Sequence, residues 1–492
     1  MEFSFWTKVV FACVPFVLLF AGILGTKLKT YVVTLFVLFV TTVLAIIGWQ
    51  ASWSLIGFSY LEGTIIAILP ILWVILMAVF TYEVGVRTQS MEKIQNFLEK
   101  ISPEKAIQAI LIAFGFGGFL ESVAGFGTAV AIPTAMLVSI GFQPIKAIVI
   151  SLVANSVPVA FGALGIPVIV LSRITDLPLS GLTPAIAWQL FPFSFLIPVV
   201  IAILSSDEKK LPFHVWGEAL LFGAVFTLIQ TTVALFVGPE LVAVLASLGV
   251  LITGVLLRWK EVKKELPSLA KPMAPYGFLL VLVLLTRLVP LPQIRSFPFV
   301  ISWSSEGHSI TIEWLTTPGT LLLIATLFGG IIQGVSGKKL WEAFLSSLVK
   351  LKSSMLTILS IVIMAKVMGN TPMVSDLSKA LAVLSGPLFP FVSPLLGALG
   401  TFVTGSDTSS NILFGKLQRD TAKSLSLDPT WLAAANTSGA TAGKMISPQS
   451  ISVATSATGL QGSEGKILSR SLWFCLGYVG LLGGLVSVVA FL

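Results

Sequence analysis

The chain has 492 residues, 55% hydrophobic and only 11% charged, with mean hydropathy +0.98. Soluble domains carry about 25% charged residues, so an ordinary soluble enzyme, a disordered chain and a nucleic-acid binder are excluded. At about 20 residues per membrane-spanning helix, the apolar content suffices for at most about thirteen crossings. The 30 Lys+Arg against 22 Asp+Glu leave +8; in a membrane protein this needs no acidic partner, because basic residues hold loops on the inner side. Cys13 and Cys475 are the only cysteines and both sit inside apolar runs. They read as small hydrophobic filler, with neither a disulfide framework nor a zinc site available.

Along the chain, the apolar run after Lys8, ending near Gly25, resembles a secretory signal. It is longer than a signal core and leads through Lys27-Leu28-Lys29 into another span, so it reads as a retained first helix. Apolar segments follow the pattern 8–25, 30–50, 61–82, 145–171, 184–204, 213–237, 239–257, 274–293, 317–335, 353–370, 430–457 and 471–492, which is about twelve crossings by length. Two further stretches, 106–141 and 386–425, are interrupted in the middle by small and polar residues, at 117–128 and 400–411. Each is long enough for two half-helices and reads as a re-entrant hairpin that enters and leaves on one side.

Charge supports the hairpins. With both termini outside, about twenty Lys and Arg fall on inner loops and about eight on outer ones, as the positive-inside rule requires. A single crossing in place of either hairpin would reverse every later loop and spoil that bias. The stretches 83–105 and 338–352 alternate charged and apolar residues and read as amphipathic helices at the inner face. Lys366, near the end of a span, reads as snorkelling to the interface. The outer loop 294–316 carries β-branched residues that suit a small hairpin. His214 and His308 are both peripheral, which argues against a histidine proton relay.

Each hairpin is followed by the pattern Asn-x6-Gly-x4-Pro, at Asn155, Gly162 and Pro167 and again at Asn436, Gly443 and Pro448. Each pattern lies mid-span in a segment opened by a proline, Pro144 or Pro429. About seven crossings separate the hairpins, an odd number, so the two units have opposite orientation; inverted repeats of this kind build secondary transporters. The expected domain plan is one integral membrane domain over 1–492, with a first repeat core at 105–171 and a second at 386–457. Proline removes a backbone donor and glycine weakens a helix, so unwinding is expected near Asn155–Pro158 and Asn436–Gly439. The helix N-termini freed there suit an anion.

Ordinary packing competes with this view: Gly117, Gly118, Gly125 and Gly127 could simply let helices approach closely. The run 404–411 is harder to explain so, because it is almost wholly polar between apolar arms. Three ionisable residues fall within the repeats, Glu121, Asp407 and Lys444. Intramembrane charges are costly and by default functional. Asp407 and Lys444 could equally form a pair that only ties hairpin two to its span. Glu121 has no evident cationic partner in its repeat, and a desolvated carboxylate holds its proton more tightly, which suits a proton carrier.

Gly115-Phe-Gly-Gly-Phe-Leu-Glu121, Ala124-Gly-Phe-Gly127 and Pro158-Val-Ala-Phe-Gly-Ala-Leu-Gly-Ile-Pro167 in the first repeat carry a resemblance. With Phe402-Val-Thr-Gly-Ser-Asp-Thr-Ser-Ser-Asn411, Ala435-Asn-Thr and Gly443-Lys-Met-Ile-Ser-Pro-Gln449 in the second, the chain resembles the L-lactate permease family over nearly its whole length. It departs from the family pattern at Ser122-Val123, in place of Gly-Ala, and at Ser156, in place of Thr.

The resemblance implies an all-α polytopic cell-membrane protein that carries L-lactate, D-lactate or glycolate with protons. It also implies a mobile hairpin domain on a scaffold and, by superfamily analogy, a homodimer. On that basis the substrate carboxylate is expected on helix N-termini and on the hydroxyls of Ser156, Ser406, Thr408, Ser409, Ser410, Thr437 and Ser438. Asn155, Asn436 and Asn411 would position it, Lys444 would balance charge, and Glu121, with Asp407 as the second candidate, would carry the proton. Partners are then a small monocarboxylate, protons and the bilayer; no cofactor, metal or nucleic acid is expected. The rivals are a sodium-coupled carboxylate symporter, an anion channel and an intramembrane enzyme, for which no metal-ligand or Ser-His spacing is present.

Overall fold

Apolar runs fold as helices because, away from water, a helix satisfies its own backbone. The computed structural model describes residues 3–26, 28–123, 128–206, 211–288, 300–305, 308–460 and 463–492, and these are helical throughout apart from loops and one small β-hairpin. Helix α1 (Phe5–Gly25) is capped by Ser4, whose hydroxyl accepts from Thr7 N, and packs on α2 (Thr30–Trp49). The rings of Phe16 and Phe20 stack on Phe414 at 5.2 and 6.4 Å, so the N-terminal run is part of the fold. Helix α3 (Trp53–Arg87) continues through π-helical turns at Ala67–Leu72, where Pro70 offers no backbone donor. Helix α4 (Ser90–Ile101) buries Met91, Ile94, Phe97, Leu98 and Ile101 along one face, the expected amphipathic pattern.

The first hairpin is α5 (Lys105–Val123) and α6 (Thr128–Ser139); its tip, with Gly125 and Gly127, lies outside the described residues. The following span is α7 (Pro144–Ala154), a 3₁₀ turn at Pro158–Phe161 and α8 (Gly162–Thr175). Next come α9 (Leu179–Ser205), α10 (Phe213–Phe236), α11 (Val242–Leu257) and α12 (Ala274–Leu288). Strands β1 (Val300–Ser305) and β2 (His308–Glu313) pair antiparallel, as the outer-loop composition suggests. Helix α13 (Pro318–Ile332) precedes α14 (Gly337–Asn370), in which the expected amphipathic segment and the expected span form one continuous helix of 34 residues. The sequence pattern offers nothing over 371–385, yet α15 (Met373–Ser385) forms there, with Trp49 Nε1 donating to Asp376 Oδ2 at 2.8 Å. The second hairpin is α16 (Phe389–Thr404) and α17 (Asp407–Ser424), followed by α18 (Pro429–Lys444), α19 (Pro448–Thr458) and α20 (Glu464–Ala490).

Among the described residues, ten helical segments are long and apolar enough to cross a membrane. The remaining expected crossings are shorter helices, including α11, α12 and α13. The chain is thus an all-α, multi-pass membrane protein. Of the apolar window in 105–123, 94% is buried, against 28% for that of α1. The first arm of hairpin one is therefore enclosed by protein, whereas α1 presents most of its surface to lipid. The two hairpin units interlock: α8 packs on α17, and α19 packs on α6.

The two broken spans break differently. Span one opens where expected, beyond Ala154, and Ala163, Leu164 and Gly165 adopt left-handed φ of 42°, 58° and 75°. That conformation costs a residue with a Cβ roughly 1–2 kcal/mol. It is held by packing, since a Cβ on Gly165 would lie 2.6 Å from the Pro239 carbonyl carbon. In span two, residues 436–439 are regular α-helix, and the chain leaves the helix only around Met445–Ser447, ahead of Pro448. The unwinding expected at Asn436–Gly439 is not found. Its glycines serve close packing instead: a Cβ on Gly439 or Gly443 would overlap the carbonyl oxygens of Pro394 and Ala398 on α16.

Each hairpin lies against the break of its own span, hairpin one through its first arm α5 and hairpin two through its turn. Gly118 faces the Pro158 ring, and a Cβ on Gly162 would lie 3.0 Å from Glu121 Oε1. Lys444 Nζ donates to Gly405 O at 2.9 Å in the turn of hairpin two, and a Cβ on Gly405 would strike Gln449.

Replacing Gly439 by Ala should force α16 and α18 apart. Overpacking of this kind costs about 1–3 kcal/mol, more than the roughly 1 kcal/mol that Ala gains over Gly in a helix. Thermal unfolding of the purified protein should show a lowered midpoint. Gly477→Ala, with nothing within 4 Å of the new Cβ, should leave the midpoint unchanged or raise it.

Candidate functional site

In the first unit, the last full turn of α5 turns Glu121 into the gap of span one. Its carboxylate is 5% exposed and accepts from Asn155 Nδ2 at 3.1 Å. The amide oxygen of Asn155 is buried and has no hydrogen-bond partner among the described residues. Ser156 lies beside it, but its hydroxyl donates back to Val153 O at 2.7 Å and so braces the end of α7.

In the second unit, Ser406 is the N-cap of α17 and its hydroxyl accepts from Ser409 N at 3.3 Å. Asp407 opens that helix, where the helix dipole favours an anion. It is 3% exposed, and neither carboxylate oxygen has a hydrogen-bond partner among the described residues. A buried carboxylate in that state requires a proton, a cation or a ligand donor. Thr408 and Ser409 are buried next to it.

The other polar residues of this unit are largely committed to one another. Asn411 Oδ1 accepts from Asn436 Nδ2 and from Thr437 Oγ1, both at 2.9 Å, while Asn411 Nδ2 donates to Pro167 O at 3.0 Å. Asn436 Oδ1 in turn accepts from Gln418 Nε2 at 3.2 Å. Ser410 Oγ donates to Gly397 O at 2.8 Å. These side chains join α17 to α18, to α16 and, through Pro167, to the first unit. Ser438 differs, because its hydroxyl is buried with no partner among the described residues.

Lys444 is 7% exposed and is held by the Gly405 carbonyl. No direct ion pair joins it to Asp407; the tie between hairpin two and its span runs through the backbone of the turn. Asp407 nevertheless lies within electrostatic range of both Lys444 and Glu121. The three ionisable residues singled out in the sequence therefore converge, one from hairpin one, one from hairpin two and one from the break of span two.

Several buried polar groups were not anticipated. Lys366 does not snorkel: its ammonium pairs with Glu62 at 2.8 Å, and Asn370 Nδ2 donates to the other Glu62 oxygen at 2.8 Å. Close contact of α3 and α14 permits this, since a Cβ on Gly63 would lie 2.8 Å from Ile363 Cα. Lys416 on α17 donates to Gly369 O at the end of α14. Glu240, between α10 and α11, is 2% exposed. Gln418 could have been found from its period, about two helical turns beyond Asn411 on the same helix; the Glu62–Lys366 pair joins helices far apart in sequence and left no such signal.

A multi-pass membrane protein built on two hairpins and two broken spans, with three ionisable groups between them, has the architecture of a transport protein. The family model described as L-lactate permease matches residues 8–297 and 293–492, and the chain belongs to that family. It is 35% identical to an L-lactate permease of Streptococcus iniae over 87% of this chain and 93% of that protein. An L-lactate permease of Bacillus subtilis is 34% identical over 98% of this chain and 95% of its own length. A glycolate permease of Escherichia coli is 31% identical, with the same coverage of 98% and 95%.

Removing the Asn411 amide should strand the donors Asn436 Nδ2 and Thr437 Oγ1. Each buried group left unsatisfied costs about 1–3 kcal/mol, so Asn411→Ala should lower thermal stability by several degrees in purified protein. Ser409→Ala, which deletes a hydroxyl outside this network, should change the midpoint little.

Proposed function

We propose that the protein is a proton-coupled symporter that takes L-lactate and related small 2-hydroxymonocarboxylates, D-lactate and glycolate, across the cell membrane. The observation that carries the proposal is the buried carboxylate of Asp407, which has no hydrogen-bond partner among the described residues and lies within electrostatic range of Lys444 and Glu121. Family membership and relatives named for L-lactate and for glycolate supply the substrate class.

The substrate carboxylate sits between Lys444, the first turn of α17 and the hydroxyls of Ser406, Thr408, Ser409 and Ser438. A 2-hydroxyl donates to an acceptor that lacks a donor, which Asn155 Oδ1 provides. Ser156, Ser410, Asn411, Asn436 and Thr437 position these groups through their bonds to backbone and to one another. Glu121 and Asp407 share the proton, and loading one proton with one monoanion makes the cycle electroneutral. The reciprocal packing of α8 on α17 and α19 on α6 supports two inverted units over 105–171 and 386–457 that move together against the remaining helices. The turn of hairpin two, where Gly405 O accepts from Lys444 at the end of α18, supports re-entry on one side. Both termini lie outside, and the assembly is a homodimer.

Labelled L-lactate uptake into proteoliposomes should follow an imposed pH gradient, inside alkaline, with no sodium present. Uptake that instead requires a sodium gradient at matched pH would replace the proton by sodium. Vesicles preloaded with unlabelled lactate should transiently concentrate external label, and failure to do so would indicate a channel.

Asp407→Asn and Glu121→Gln separate the two acids. The residue that carries the proton should, when neutralised, lose most of net gradient-driven uptake yet keep lactate–lactate exchange. Wild-type net uptake in both variants would remove both residues from proton coupling.

A further inference from the structure

Away from the hairpins, a crevice of about 340 Å³ opens where α7 begins, α9 ends and α20 begins. Its wall includes Lys146, Arg470, Trp473, Phe474, Val149 and Leu204, and among the described residues no acidic side chain. All three helices change character at this level. Lys146 stands in the first turn of α7, Leu204 in the last turn of α9, and α20 carries no charged residue from Leu472 to its end at Ala490. A shared boundary between charged and apolar sequence on three neighbouring helices marks the headgroup level of one leaflet.

The charged groups are held at that boundary. Lys146 Nζ donates to the carbonyls of Ser205 and Ser206 at 3.2 and 3.1 Å, which fixes the ammonium at the end of α9. Arg470 is exposed and makes no ion pair among the described residues. Beneath the cations, Trp473 is 76% exposed and Phe474 half-buried, with Val149 and Leu204 opposite. A small free anion would use the cations and leave this apolar floor unused. A phospholipid uses both.

We propose that this crevice binds the headgroup of one anionic phospholipid. Its phosphate lies at Arg470 and Lys146, and its glycerol and first acyl carbons lie on Trp473, Phe474 and Val149. Basic pockets between transmembrane helices recognise anionic headgroups in this way. The bound lipid would bridge the start of span one to α20, which also packs on α18. The inference is independent of which substrate is carried.

The test uses the full-length protein, purified, delipidated and titrated with phosphatidylglycerol or phosphatidylcholine under native mass spectrometry. One phosphatidylglycerol should bind per chain, at least fivefold tighter than phosphatidylcholine. Arg470→Gln should weaken it roughly fivefold, the value of one cation near an anionic lipid. Arg470→Lys should restore most of the loss, Trp473→Ala should weaken both lipids, and Lys339→Gln, an exposed lysine elsewhere, should change nothing. Equal affinity for the two lipids, or unchanged phosphatidylglycerol binding in Arg470→Gln, would overturn the proposal. Full displacement of the lipid by millimolar inorganic phosphate would also overturn it, by showing a simple anion site.

Discussion

Inside a bilayer, backbone amides and carbonyls that leave a helix find no water, so irregular chain survives there only when protein surrounds it. Much of this structure follows from that one constraint. The gap from Asn155 to Gly165 and the shorter one around Met445–Ser447 are each walled by a hairpin, by the other unit and by flanking helices. The same need explains why the first arm of hairpin one is buried almost all round while outer spans such as α1 keep their apolar residues toward lipid. Hydrophobicity on every face therefore means two different things in one chain: lipid contact outside and protein contact within.

Close approach of backbones makes such enclosure possible, and glycine sets the distance. Gly397, Gly439 and Gly443 bring α16 and α18 together until carbonyl oxygens occupy the space a Cβ would need. Once that contact forms, α18 remains helical through Asn436, and its polar residues turn toward α17 rather than into a gap. The asymmetry between the two breaks thus follows from a packing difference between two similar sequence patterns. Span one has Gly165 against Pro239 at its break; span two has glycines along its helix and a proline after it.

Polar groups at this depth divide into those that satisfy each other and those that do not. Asn411, Asn436, Thr437 and Gln418 form a closed set and hold three helices in register. Glu62, Lys366 and Asn370 form another between α3 and α14. Asp407, Asn155 Oδ1 and Ser438 stand outside such sets among the described residues. This division, more than residue type, separates structural polarity from groups open to a proton or a ligand.

Much was legible in the linear pattern. Composition and apolar period were sufficient for the membrane class and for nearly every helix, because crossing length and hydropathy are local properties. The two interrupted stretches and the paired Asn-x6-Gly-x4-Pro pattern located both hairpins and both following spans, and singled out Glu121, Asp407 and Lys444. Helix α15, the continuity of α14 and the position of the second break were not legible, since each depends on which helix lies alongside. Nor could pattern alone show that Lys444 holds the Gly405 carbonyl, that Lys366 pairs with Glu62, or that Asn411 is saturated by its neighbours. Sequence by itself determined the membrane class and where most helices run; only the tertiary structure decided where the second span breaks and which buried polar groups find partners, because both are settled by the distance between atoms that the chain places far apart.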